Sequence, residues 1–115
     1  MRILVCGGRD FTDEELVNRI LNQFYNEHGQ EYITIIHGGA KGADSLAGKW
    51  GKESGVPVEV YPADWKKHGR AAGPIRNKQM LDEGKPDIVI AFKGGKGTRN
   101  MITQAKENGF MVVEV

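Results

Sequence analysis

Five short aliphatic and β-branched runs recur along the chain, separated by stretches of helical period, and nothing else in the sequence restricts the fold so tightly. The runs are Arg2–Cys6, Tyr32–Ile36, Val56–Tyr61, Asp87–Phe92 and Phe110–Val115. Strands that alternate with helices form a parallel sheet whose right-handed crossovers place helices on both faces. Strands buried on both faces read as continuous apolar runs rather than alternating ones. Ile3–Cys6, Ile33–Ile36 and Ile88–Phe92 do so. The expected fold is therefore α/β: an open, mostly parallel sheet of about five strands with helices on both faces.

The intervening segments carry helix start and stop signals. Thr12-Asp13-Glu14-Glu15 reads as a capping box, with the Thr12 hydroxyl accepting from the Glu15 amide. Leu16, Ile20 and Phe24 then share one helical face, broadened by Val17 and Leu21, and the helix should fade near His28-Gly29. A second helix is expected from about Gly42 to Ser54, burying Ala43, Leu46, Ala47 and Trp50 and stopped by Gly55. Pro57 marks the third strand as an edge strand or its entrance. Pro62–Gly73 is polar and basic and reads as loop. Pro74 suits the first turn of a helix running to about Glu83. Thr98–Asn108 reads as the last helix, capped by Gly109.

The 115 residues fit one domain, 1–115, of ordinary globular composition. No apolar run approaches the ~20 residues that span a bilayer, and one cysteine precludes an intramolecular disulfide, so a cytoplasmic location without a membrane partner is expected. The net charge is only +1, but residues 64–100 hold nine bases against four acids. Those bases surround glycine-rich turns, where an anion can be held.

Three of the four strand-to-helix turns are glycine-rich: Gly7-Gly8-Arg9-Asp10, Gly38-Gly39-Ala40-Lys41-Gly42 and Gly94-Gly95-Lys96-Gly97-Thr98. In an open parallel sheet these turns lie along the carboxyl edge, where ligands bind. Glycine lets backbone amides approach an anion closely, and a helix amino terminus behind the turn adds free N–H groups and partial positive charge. Neither G-x-x-x-x-G-K-[ST] nor G-x-G-x-x-G is present, which removes support for ATP hydrolysis and dinucleotide redox chemistry.

Gly7-Gly8-Arg9-Asp10-Phe11, His37–Asp44, Gly73–Met80 and Gly94–Thr98 together resemble the YspA-type branch of the SLOG superfamily, over essentially the whole chain. That superfamily joins the lonely-guy phosphoribohydrolases with the DNA-processing protein A family. The resemblance implies a Rossmann-like fold that binds nucleotides or nucleotide derivatives. Lonely-guy enzymes pair the arginine of an R-x-x-x-M segment with the acid of P-G-G-x-G-T-x-x-E. Arg76 and Met80 match the first motif; in the second, Gly94–Thr98 match, Lys93 replaces the proline and Met101 stands where the glutamate would be. Methionine cannot stabilise positive charge developing on a ribose, so that mechanism would need Asp10 or Asp44 instead.

The candidate ligand-binding residues are Gly7, Gly8, Arg9, Gly38, Gly39, Lys41, Arg76, Gly94, Gly95, Gly97 and Thr98, and the candidate catalytic set is Arg76 with Asp10 and Asp44. Arg76 is read as a bidentate phosphate clamp. Asp44 either accepts from a ribose hydroxyl or complements the helix dipole, and Arg9 and Asp10 either contact ligand or pair with each other. Thr98 is expected to cap the last helix and, in addition, to contact phosphate. Lys96 and Arg99 are electrostatic helpers. His37 serves as acid or base, or as a satisfied structural histidine; Trp65 either stacks on a base or anchors a loop. Cys6 reads as a small apolar residue. No metal-ligand spacing and no G-x-S-x-G appear, and no cofactor is expected. Three functions follow: a nucleotide-binding sensor or sequestering module, a nucleoside 5′-monophosphate N-glycosidase, and, less favoured by the near-neutral charge, a single-stranded nucleic-acid binder. A homo-oligomer would use Trp50 or the Leu16–Phe24 face.

Overall fold

A computed structural model describes residues 1–28 and 32–115. Its elements are β1 (Arg2–Cys6), α1 (Glu14–His28), β2 (Thr34–His37), α2 (Ala43–Glu53), β3 (Val58–Val60), α3 (Trp65–His68), α4 (Ala72–Gly84), β4 (Ile88–Ala91), α5 (Lys96–Glu107) and β5 (Val112–Glu114), with a 3-10 turn at Gly69–Ala71. The five strands are all parallel, in the order β3-β2-β1-β4-β5. Pro57 thus precedes an edge strand, as its missing N–H requires. Gly29, half of the expected stop of α1, lies outside the described residues.

Register sorts the core into two layers. Leu4 on β1 sits between Ile36 on β2 and Val89 on β4, and this row packs on Met80, Leu81, Met101 and Ala105 of α4 and α5. The alternate row, Ile3 with Ile35 and Ile88, packs on Val17, Leu21, Ala47 and Trp50 of α1 and α2. Each face of the central strands is therefore dry, which is why their sequence lacks polar alternation. Among the described residues no helix is long and apolar enough to cross a membrane.

Helix ends follow local chemistry. Gly55 and Gly109 both adopt left-handed φ and close α2 and α5 with paired bonds: Val56 N–H to Gly51 and Gly55 N–H to Lys52, then Phe110 N–H to Ala105 and Gly109 N–H to Lys106. At the start of α1, however, Asp13 rather than Thr12 is the cap, its Oδ1 accepting from the Leu16 amide at 3.1 Å. The Asp13 carboxylate, one residue later, directly precedes the first helical residue, Glu14, and so is in register with the actual first turn.

Residues 62–73 are not simply a loop. Asp64 caps α3, its Oδ1 accepting from the Lys67 amide at 3.0 Å, and α4 begins at Ala72, so Gly73 and Pro74 both lie in its first turn. Proline is tolerated there because first-turn amides have no intrahelical partner. Helix α5 also starts earlier than expected, at Lys96 behind the cap residue Gly95. Thr98 is inside its first turn and is not the expected cap.

Gly42 ties two turns together. Its φ is +79°, and a Cβ there would collide with the Gly8 carbonyl and lie 2.7 Å from that of Arg9. Gly55 has a similar φ but nothing within 4 Å of a Cβ. Gly42→Ala is expected to cost about 3 kcal/mol or more in urea unfolding, and Gly55→Ala about 1 kcal/mol. Equal losses would mean that the two turns are not interlocked.

Candidate functional site

The order β3-β2-β1-β4-β5 reverses direction between β1 and β4, and a crevice opens at the carboxyl ends of those strands. A cavity of about 780 Å³ occupies it. Its walls are the Cys6–Asp13 segment, Ala40 and Asp44, Trp65, one side of α4 (Gly73, Arg76, Asn77, Met80) and the Lys93–Thr98 turn. Gly7, Gly8, Arg9, Asp10, Asp44, Arg76, Gly94, Gly95, Gly97 and Thr98 therefore meet in one place, whereas Gly38, Gly39 and Lys41 do not line it.

The glycines divide by what surrounds them. A Cβ at Gly7 would lie 2.5 Å from the Ala43 Cβ, and one at Gly94 would lie 2.6 Å from the Gly8 nitrogen. These residues are glycine because the turns pack on each other. Several of their amides are also already engaged: Gly8 donates to the Lys93 carbonyl, Gly38 to Asp44 Oδ2, and Gly39 to His37 Nδ1, each at 3.0 Å. The 7–8 and 38–39 turns consequently shape the site without offering those N–H groups to an anion. Gly95 and Gly97 differ, since nothing lies within 4 Å of a Cβ at either and neither has left-handed φ. They border the cavity at the start of α5, whose first turn carries no side-chain cap and keeps its amides free of intrahelical partners.

Arg76 projects from α4 as a half-buried cation. Its Nη1 donates to the Gly38 carbonyl at 2.5 Å and its Nε to Asn77 Oδ1 at 3.2 Å. Gly38 can carry a side chain only if Arg76 moves, because a Cβ would lie 2.7 Å from the guanidinium carbon. Burial lowers the Arg76 pKa, and the charge of Asp44 opposes that shift. Arginine remains a cation throughout the accessible pH range.

Asp44 is buried at the start of α2, and its Oδ2 accepts from both Gly38 and Ala40 amides. It holds the 38–40 turn in the shape that receives Arg76. Burial raises its pKa, against the opposing effects of the Ala40 amide, Arg76 and the Gly38 amide. Asp10 and Arg9 are exposed at the rim, and Lys41 is exposed away from it. Cys6 touches the cavity, but burial pushes its thiol up to about 12, with Asp44 adding to the shift, so it is no nucleophile. Met101 is 0% exposed within the α4–α5 core and does not border the cavity.

Asn77 was not singled out by sequence reasoning. It is 4% exposed; its Nδ2 donates to the Gly97 carbonyl and Asn100 Oδ1, while its Oδ1 receives Arg76 Nε. It thereby links Arg76 to the first turn of α5. The available signal was a polar residue on the stripe Gly73-Asn77-Met80-Leu81-Gly84, which is otherwise apolar or glycine.

His37 takes the structural alternative. It is buried, and its Nδ1 accepts from Gly39, which requires the tautomer protonated at Nε2. Burial, and then Arg76, lower its pKa below the ordinary 6.5. The unfolded chain therefore takes up a proton near pH 6.5 before the folded chain does, and stability falls as pH drops through that window. The slope should reach at most about 1.4 kcal/mol per pH unit, and His37→Gln should remove it in urea melts at stepped pH. An identical slope in the variant would assign the proton uptake elsewhere.

The chain has clear relatives. A family model described as the YspA, cpYpsA-related SLOG family matches residues 1–68, a span that ends before Arg76. The gene 61 protein of Mycobacterium phage D29 is 35% identical over 120 residues, covering 97% of this chain and 94% of that protein. The X-ray structure of TM1055, a Northeast Structural Genomics Consortium target, shares the fold at a TM-score of 0.72 and 18% identity, across 96% of this chain and 71% of its own. With more than half of its length matched, the protein belongs to the YspA, cpYpsA-related SLOG family.

Proposed function

We propose that the cavity binds a phosphate-bearing, nucleotide-like small molecule, and that the protein acts as a sensor or sequestering module. The observation that carries this reading is the setting of Arg76. Its guanidinium borders the cavity, two of its nitrogens are anchored by Gly38 and Asn77, and among the described residues no hydrogen bond engages Nη2. The same cavity is lined by Lys93 and by the first turn of α5, which begins at Lys96 and has no side-chain cap. A partly desolvated arginine facing free amides favours an anion, and phosphate matches both its charge and its several acceptors. The SLOG resemblance supports a nucleotide as the carrier of that phosphate.

Binding is favoured over turnover because the residues leave little carboxylate chemistry. Met101 occupies the position of the lonely-guy glutamate and faces the core, and Asp44 Oδ2 is occupied by two amides. One observation supports release of base from a nucleoside 5′-monophosphate as a second reading: Asp44, a carboxyl group, borders the same cavity as Arg76.

A thermal-shift screen against nucleotides, cyclic nucleotides, ADP-ribose and NAD tests both readings. A ligand at ~100 times its dissociation constant adds about 2.7 kcal/mol, several degrees for a domain of this size. The shift should be lost in Arg76→Ala and weakened in Gly38→Ala, which displaces the guanidinium. An undiminished shift in Arg76→Ala would overturn the assignment. Chromatographic release of free base from a compound that shifts the wild type, abolished in Asp44→Asn, would replace the sensor with the glycosidase.

A further inference from the structure

We infer that Trp65 is the base-reading residue of the cavity, so that the ligand is a phosphate bearing a planar heteroaromatic base that stacks on the Trp65 indole beside Arg9. This rests on the nucleotide-binding reading of the same cavity and adds the residue on which the base is held.

The segment that carries Trp65 adds little to the core. Neither α3 nor the 3-10 turn after it buries a single residue. Ordering each backbone residue costs roughly 1–2 kcal/mol, normally offset by apolar burial. Here the segment is instead held by its own cap, with Asp64 Oδ1 accepting from Lys67 and the Asp64 carbonyl accepting from His68. What this capped turn delivers is one large aromatic ring at the rim of the cavity. Its Cη2 carbon lies 3.6 Å from where a Gly73 Cβ would stand, against the first turn of α4, yet the residue stays 49% exposed. Trp50, by contrast, is buried with its indole N–H bonded to Asn22 Oδ1 at 2.8 Å.

The group opposite the ring has the same incomplete character. The Arg9 guanidinium carbon lies 5.6 Å from the Trp65 ring centroid, and among the described residues Arg9 makes no hydrogen bond or ion pair. The guanidinium lies over the indole and both border the cavity, so a base entering there meets a flat cation and an aromatic ring, the two groups on which bases stack. Arg76 and the α5 turn supply the anion-binding end of the same cavity. One molecule that satisfies both ends has a phosphate and an aromatic ring.

The test compares 5′-AMP, 5′-GMP, 5′-CMP, 5′-UMP and ADP-ribose with ribose 5-phosphate, using tryptophan emission and calorimetry on the wild type, Trp65→Phe and Trp65→Leu. Trp50 does not border the cavity, so quenching reports Trp65. At least one base-bearing compound should quench emission and bind about 10-fold or more tighter than ribose 5-phosphate, in line with the strength of base–aromatic stacking. Trp65→Leu should weaken the base-bearing compounds about 5-fold or more beyond any change in ribose 5-phosphate, reducing that preference to within about 2-fold, and Trp65→Phe should retain most of it. Equal affinity for nucleotides and ribose 5-phosphate in the wild type would overturn the stacking role and leave phosphate binding standing. So would equal weakening of all compounds in Trp65→Leu, which would mark the residue as a structural anchor. Failure of all six compounds to bind would overturn the phosphate reading and this one with it.

Discussion

The backbone of Gly8 is the junction from which the ligand-facing edge is built. Its N–H reaches the Lys93 carbonyl beyond β4, and its own carbonyl receives the Phe11 and Ala43 amides. Three segments far apart in sequence thus meet on one residue, and any side chain at Gly42 or Gly94 would drive them apart. Closeness of this kind is available only to glycine, because a Cβ at either point would occupy the space of a neighbouring backbone atom. The cavity exists because the turns lock edge to edge while the strands beneath them remain fully covered.

A second constraint sits on top of that junction. Asp44, the 38–40 turn, Arg76 and Asn77 form a chain in which each group positions the next. A cation and a carboxylate are both taken partly out of water, and the backbone amides on Asp44 and the carbonyl on Arg76 offset much of that desolvation. Removing one member leaves an uncompensated buried group, which is costlier than exchanging a surface residue. His37 belongs to the same neighbourhood, where burial first and the Arg76 charge second lower its pKa.

Most of the sheet was legible because its physics is local. Ile3–Cys6 and Ile88–Phe92 read as continuous apolar runs, and Gly55 and Gly109 announced the ends they close. The start of α1 was ambiguous because Thr12 and Asp13 are both good caps, and only the path of the first turn chooses between them. Helix α3 escaped notice because four residues that bury nothing leave no periodicity. In the site, Arg76 was found through its motif and Trp65 through its basic surroundings. The difference between Gly94, which is packed, and Gly95 and Gly97, which face open space, could not be read. It depends on which turns become neighbours once the strands are ordered. Asp44 was seen as a ligand or dipole group, since its grip on Gly38 and Ala40 follows from how the turn folds back and not from spacing.

The two outer strands bear on how the molecule behaves in a crowd. β3 and β5 are only three residues long, and each carries a glutamate, Glu59 or Glu114, engaged by Arg2 and Lys106 respectively. A strand docking from another copy would find a short row of free backbone groups and an acidic side chain that meets its own duplicate in a like-with-like pairing. Short edge strands with charged side chains are one way a sheet limits pairing at its borders, and both borders of this sheet have that form without a proline within either strand.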